Sequence, residues 1–192
     1  GTVFEVFYMG SKTIGADNST VHNVPMPGDG PIAARRDIPQ LAGIRAIRFD
    51  GQSIYHAVTF KAVRRLRNNV SLNVAYTLSD SKDDASSPGP TSFEPNVPQD
   101  VRNIFPGENA LSSFHHRHQF VTSGTYEFPL YRGAVGWQEA VLGNWRLNGI
   151  VTMQSGAPFS VTLIEDRANI GAGPAQRPDM TGDPNLPRGD RT

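Results

Sequence analysis

Residues 70–79 read Val-Ser-Leu-Asn-Val-Ala-Tyr-Thr-Leu-Ser and carry the strongest structural signal in the chain. Large apolar side chains occupy every second position, and small or polar side chains fill the positions between. Because successive side chains of a strand point to opposite faces, the stretch predicts a strand with one apolar and one polar face. A soluble sandwich gives the same alternation when its apolar face covers a core, so the alternation alone leaves both structures open.

The lengths of the connections distinguish these two structures. The same alternation predicts five strands, at residues 3–9, 53–65, 70–79, 116–128 and 145–163, and a short additional strand at residues 43–49. Long segments rich in Pro, Gly, Asp and Ser follow the first, third and fifth strands, whereas shorter connections follow the second and fourth. Tight turns alternating with long polar loops are typical of an outer-membrane β-barrel, whose long loops are extracellular.

The predicted fold is therefore all-β, an antiparallel up-and-down meander that forms part of a transmembrane β-barrel with long irregular extracellular loops. We expect residues 1–192 to be a fragment of a single barrel domain. Five strands do not close a barrel with a lumen, because the smallest outer-membrane barrels have about eight.

Composition narrows the possible functions. Lys+Arg and Asp+Glu number 18 each, so the formal net charge is zero and no nucleic-acid partner is predicted. The chain has no cysteine, which excludes disulfides, thiolate metal ligands and a thiol nucleophile. Charged residues make up 19% of the chain, below the roughly 25% typical of soluble domains, which suits a barrel whose lumen carries uncharged polar side chains.

The strand alternation assigns side chains to the two faces of the predicted barrel wall. The apolar set is expected to face lipid: Val58, Phe60, Leu72, Val74, Tyr76, Phe120, Leu147 and Val151. The polar set is expected to line the lumen: Thr59, Lys61, Asn73, Thr77, Gln119, Ser123, Asn148 and Thr152. Aromatic residues near the predicted strand ends suit the girdles at the two membrane interfaces: Tyr8, Tyr55, Tyr126, Phe128 and Trp145.

Motifs for catalysis or cofactor binding are missing from the sequence. His116 and His118 fall on one side of a predicted strand and are the candidates for sharing a metal ion. A zinc site needs three or four ligands, and no further ligand is identifiable, so we predict no metal site. No Gly-x-Ser-x-Gly elbow or phosphate-cradling glycine loop occurs, and the protein is predicted to have no cofactor, no catalytic residue and no enzymatic activity.

Five segments, in family order, resemble the barrel region of TonB-dependent receptors of the Oar-like kind common in acidobacterial genomes. Residues 74–87, VAYTLSDSKDDASS, are similar to the family's YTLSKSIDDASS, and residues 117–129, RHQFVTSGTYEFP, are similar to its RHRFVASGVYELP. Three further segments complete the resemblance: residues 55–65, residues 142–159 with LGNWRLNGI and QSGAPF, and residues 177–186.

The resemblance implies a transporter in the outer membrane of a Gram-negative bacterium. Its partners would be outer-membrane lipid, the rest of the same barrel, a plug domain, TonB and a transported ligand of unknown identity. The plug, the TonB-contacting part and any carboxypeptidase-regulatory-like domain lie upstream in that family and are expected to be absent from these residues. The family also places His116 and His118 at the extracellular start of a strand, as rim residues.

The alternative interpretation is a soluble or secreted all-β module that binds carbohydrate or mediates adhesion. That interpretation predicts apolar faces that pack on one another, whereas the barrel interpretation predicts an apolar face in contact with hydrocarbon.

Overall fold

The alternating segments form long strands. The computed structural model describes residues 1–67, 69–84, 86, 98–100, 102, 108–129, 136–137, 141, 145–171 and 176–182. Its strands are β1 (Thr2–His22), β2 (Ile44–Arg67), β3 (Val70–Asp83), β4 (Ala110–Leu111), β5 (His118–Glu127) and β6 (Arg146–Gln154), with a 3₁₀ turn at Ala33–Arg35. Within the described ranges, no helix is long and apolar enough to cross a bilayer.

The strands belong to one sheet in the order β1-β2-β3-β5-β6, and the two-residue β4 pairs with β3. β2 with β3, β3 with β5, and β5 with β6 are all antiparallel. Side-chain contacts of Glu5 with Lys61 and of Tyr8 with His56 show that β1 also runs opposite to β2. The prediction of an all-β antiparallel meander is confirmed, and over the described residues the sheet is open, with β1 and β6 at its edges.

β1 and β2 are much longer than the sequence indicated. The predicted strand at residues 3–9 continues to His22, and the predicted strands at residues 43–49 and 53–65 are parts of one strand. The pairing passes through Gly15, whose φ is +83°, and Gly51, where an added Cβ would lie 2.9 Å from the Ala16 carbonyl oxygen. Glycine at both positions lets the strands stay paired where the polar sequence predicted a loop.

The other strand bounds differ from the prediction mainly at one place. β3 extends past residue 79 to Asp83, and β5 begins and ends within the predicted 116–128. The predicted strand 145–163 is wrong beyond Gln154: residues 159–163 are not in a strand, and the Leu163 N–H bonds instead to the Gln176 carbonyl at 2.8 Å. Pro158 lacks the N–H that a continuing ladder would need.

The chain divides into two compact units. The sheet unit comprises Gly1–Thr13, Ser53–Asp83 and Leu111–Pro158, and the loop unit comprises Ile14–Gln52, Asp84–Ala110 and Phe159–Thr192. Among the described residues, only Ala57 in the sheet unit and Ile170 in the loop unit are buried hydrophobic side chains. The described part of each unit therefore lacks the apolar core that normally stabilises a soluble domain.

A short connection joins β2, which ends at Arg67, to β3, which begins at Val70, in agreement with the short connection expected after the second predicted strand. Asn69 has a left-handed backbone, with φ of +66°, and its carbonyl accepts the Glu127 N–H at 2.8 Å. Asparagine tolerates this conformation better than most non-glycine residues, because its short polar side chain can hydrogen-bond to nearby backbone groups.

Replacement of Asn69 by Val is expected to destabilise the protein by roughly 1–2 kcal/mol, the cost of holding a branched residue in the left-handed region. Asn69→Gly, the matched control, keeps the turn without that strain. Urea titration of the full-length protein folded into lipid vesicles measures both. Equal midpoints for Asn69→Val and the wild type would contradict the role assigned to this turn.

Candidate functional site

The register of the sheet brings all eight predicted lumen residues to one face, here called the polar face. Thr77 of β3 lies opposite Thr59 on one side and Gln119 on the other, and the Thr59 and Thr77 hydroxyls hydrogen-bond at 2.9 Å. Alternation along the strands places the remaining predicted residues on the same face: Lys61, Asn73, Ser123, Asn148 and Thr152. One row is polar on all four strands, formed by Thr59, Thr77, Gln119 and Gln154, whereas Ala75 and Val121 separate Lys61 from Thr152 in the next row.

Charges on the polar face occur as pairs between neighbouring strands. Lys61 Nζ lies 3.2 Å from Glu5 Oε2, and Arg146 Nη2 lies 2.5 Å from Glu127 Oε1. Thr125 Oγ1 donates to Asn148 Oδ1 at 2.7 Å. Water screens such half-exposed pairs, so they contribute little to stability, and their effect is to add hydrophilic groups to this face.

The opposite face, here called the apolar face, carries all eight predicted lipid-facing residues. Phe60, Tyr76, Phe120 and Met153 form one row across β2, β3, β5 and β6. The other predicted members share this face by alternation: Val58, Leu72, Val74, Leu147 and Val151. Thr122, Gly124 and Gly149 lie among them. Phe60 is 49% exposed and Leu147 is 61% exposed, so large apolar side chains on this face lack a protein covering.

Aromatic residues border the apolar face at both ends. At the end farther from Asn69, the Tyr8 hydroxyl hydrogen-bonds to His56 Nδ1 at 2.6 Å, and the Tyr76 hydroxyl to His118 Nδ1 at 2.7 Å. Within each pair the two rings stack. At the turn end, Tyr126 and Phe128 make an edge-to-face contact with centroids 4.8 Å apart.

The separation of the two aromatic borders can be read along β5. His118 and Tyr126 are eight residues apart, which is about 27 Å of extended strand. With the tilt usual for barrel strands, this corresponds to about 20 Å along the membrane normal, close to the roughly 25 Å apolar band of outer-membrane barrels. The sequence analysis placed His118 at the rim of a strand, but it missed His56 and the pairing of both histidines with tyrosines.

One predicted girdle residue is corrected by the register. Tyr55 lies opposite Ser81 and so belongs to the polar face, whereas its neighbours Ile54 and His56 lie on the apolar face. An aromatic residue near a strand end therefore belongs to a border only if its side chain points to the apolar face, which depends on its position in the alternation along the strand.

A family model described as an outer membrane beta barrel domain matches residues 1–192. The chain belongs to this outer-membrane β-barrel family. Its place is consequently the outer membrane. No curated protein and no solved structure matches the chain.

The rim histidines of this outer-membrane barrel chain serve structural hydrogen bonds. His115 Nδ1 accepts the Ser81 N–H at 3.1 Å, His116 Nδ1 donates to the Ser155 carbonyl at 2.8 Å, and His118 Nδ1 is taken by Tyr76. In each of the two candidate ligands, His116 and His118, one ring nitrogen is therefore occupied by a hydrogen bond within the protein. In the described part of the chain, no group of three His, Cys, Asp or Glu residues is arranged to hold a metal ion.

Polar side chains, rather than a core, hold the loop unit of the barrel chain together. Asp166 accepts the Ile170 N–H at 3.0 Å, the Gly171 N–H at 2.5 Å and the side-chain amide of Gln176. Burial acts to raise the pKa of the Asp166 carboxyl, but these hydrogen bonds together outweigh it and lower the pKa below the ordinary value. No motif in the sequence singles out Asp166 for this role, because its partners come from the backbone of its own turn and from Gln176.

Acid is expected to loosen the turn around Asp166. Because folding lowers the pKa of Asp166, the carboxylate stabilises the folded loop at neutral pH, and this contribution is lost as the pH falls below about 4 towards the folded-state pKa. Hydrogen exchange at the Ile170 and Gly171 amides, corrected for intrinsic rates, should show protection at pH 6 that declines by pH 3.

The matched variant Asp166→Asn keeps the size of the side chain but not the titration. It should show weaker protection at pH 6 and little further change on acidification. Protection of the wild-type amides that stays constant from pH 6 to pH 3 would contradict the role of the Asp166 carboxylate.

Proposed function

We propose that this chain forms part of the wall of a TonB-dependent receptor that takes up a ligand across the outer membrane. The observation that carries the proposal is that the sheet places polar side chains on one face and apolar side chains on the other. In the proposed barrel, the polar face lines the lumen and the apolar face contacts lipid. The five segments that resemble Oar-like receptors, in family order, support the finer assignment to TonB-dependent transport.

The free edges of the sheet support a larger barrel. β1 and β6 each pair on one side only among the described residues, and an unpaired strand edge in a membrane leaves backbone N–H and C=O groups without partners. Further strands of the same barrel would satisfy both edges. In this mechanism the loops capture the ligand, and the ligand passes along the polar face when a plug domain rearranges.

A soluble carbohydrate-binding or adhesion module is the less favoured function. It requires an apolar layer packed on the apolar face, whereas Leu72 and Phe60 are exposed on it and the family match is to a membrane barrel.

Arginine at Val74 and at its neighbour Asn73 tests the orientation of the wall. Val74 lies midway between the two aromatic borders, so Val74→Arg is expected to cost roughly 2–4 kcal/mol when the full-length protein is folded into lipid vesicles. Asn73→Arg, on the polar face, should cost far less. Denaturant titration in vesicles measures both, and equal costs would contradict the assignment.

Spin labels at the same two positions separate lipid from a protein core. A label on Val74→Cys should collide more often with oxygen, a paramagnetic relaxation agent that concentrates in hydrocarbon. A label on Asn73→Cys should collide more often with a water-soluble nickel chelate. A Val74 label that is protected from both relaxation agents would indicate a covering protein layer and would contradict the proposal that Val74 faces lipid in a barrel wall.

Energy-coupled uptake is tested in the native bacterium. The wild type, a strain lacking the full-length receptor and a strain lacking TonB are grown in a defined mixture of nutrients, and the spent media are compared by mass spectrometry. The proposal expects at least one compound that only the wild type depletes. Identical depletion by the wild type and the receptor-deleted strain would contradict uptake by this protein.

A further inference from the structure

The loop unit contains a cavity that is separate from the polar face of the sheet. Its volume is about 390 Å³, within the range of roughly 300–1,000 Å³ that small-molecule sites occupy. Described residues from three separate parts of the loop unit line it: residues 21 and 24–27, residues 98–100 and 102, and residues 167, 168, 170, 176 and 177. Because segments distant in sequence converge on it, the cavity is a product of the folded loops.

Positive charge dominates the lining, which has three arginines and one aspartate, Asp100. Arg177 is neutralised, because its two Nη atoms bond to the Glu108 carboxylate at 2.8 and 2.9 Å, and this hydrogen bonding raises the Arg177 pKa. Arg102 donates through Nη2 to the Val24 carbonyl at 2.6 Å and pairs with no acid among the described residues.

Arg167 has the fewest side-chain hydrogen bonds of the three arginines. Its backbone N–H bonds to the Glu165 carbonyl, but its guanidinium has no hydrogen-bond or ion-pair partner in the described part of the chain. The Asp100 carboxylate already accepts the Arg102 backbone N–H at 3.0 Å. That bond comes from a neutral group and leaves the Asp100 charge in place, so the lining keeps an excess of positive charge, with Arg102 and Arg167 against one carboxylate. Guanidinium groups bind carboxylates and phosphates through paired hydrogen bonds.

Apart from Gln99 and Gln176, the remaining wall is apolar, and hydrogen bonds hold part of it in place. Pro25, Met26 and Pro27 line the cavity, and Arg35 Nη1 donates to the Met26 carbonyl at 2.6 Å. The Asn169 side-chain amide bridges to the Gly28 and Gly30 carbonyls at 2.9 Å each. Two prolines and these hydrogen bonds fix the loop before any ligand arrives, which lowers the entropic cost of binding.

We infer that this cavity binds a small organic anion. Arg102 and Arg167 hold its carboxylate or phosphate group, and its apolar part lies against Pro25 and Met26. The inference rests on the proposed function in one respect, since it makes the loop unit the place where an incoming ligand is first held. The binding itself requires neither a plug domain nor TonB.

Phenyl phosphate is the probe, and benzyl alcohol is its neutral counterpart. Titration calorimetry on the full-length protein in detergent should show saturable binding of phenyl phosphate and none of benzyl alcohol at the same concentration. Arg167→Gln is expected to weaken phenyl phosphate binding roughly tenfold or more, as loss of a charged hydrogen bond does. Arg45→Gln, an exposed arginine of the loop unit outside the cavity lining, is the matched control and should bind like the wild type.

Three results would overturn the inference: no binding of phenyl phosphate by the folded wild type, equal binding by Arg167→Gln and the wild type, or equal loss in Arg45→Gln. Lipopolysaccharide phosphates are the other source of anions at this surface. Competition by purified lipopolysaccharide, with no competition by soluble carboxylates such as citrate, would assign the site to lipid and overturn the inference. Failure of binding with intact receptor-dependent uptake would refute this site alone.

Discussion

The antiparallel register of β2, β3, β5 and β6 is the constraint on which the rest of the sheet depends. Phe60, Tyr76 and Phe120 fall in one row, while Thr59, Thr77 and Gln119 fall in the row behind it on the other face. Because strand side chains alternate with a period of two, a slip of one residue at any pairing would exchange the faces. The tight connection at Asn69 fixes the first of these pairings.

This separation of faces replaces a conventional core. Apolar side chains that a soluble domain would bury remain exposed on one face of the sheet, and only Ala57 is a buried hydrophobic residue among the described residues of the sheet unit. In outer-membrane β-barrels generally, sheets with two such faces are stabilised by hydrocarbon on the apolar face, a polar interior on the other face and neighbouring strands at their edges. Membership of the outer-membrane β-barrel family supplies that environment.

The loop unit is ordered mainly by hydrogen bonds between polar side chains and the backbone. Asp166 gathers the backbone N–H groups of its own turn, and Asn23, with φ of +57°, donates from one amide to the carbonyls of Ile38, Leu41 and Ala42. Hydrogen bonds to backbone groups let polar, proline-rich loops keep one conformation without burying much apolar surface. They also leave side chains such as Arg167 free to face a cavity.

The sequence by itself determined the strand type, the parity of each face and the short turn at Asn69, because these depend on local alternation and on the backbone preference of one residue. It did not reveal that β1 and β2 continue past Gly15 and Gly51, since that pairing joins residues far apart in a segment of loop-like composition. It assigned residues 159–163 to a strand that the tertiary structure ends at Gln154. Only the tertiary structure brought Arg102, Arg167 and Met26 to one cavity, because three loops distant in sequence must fold together before their side chains share a surface.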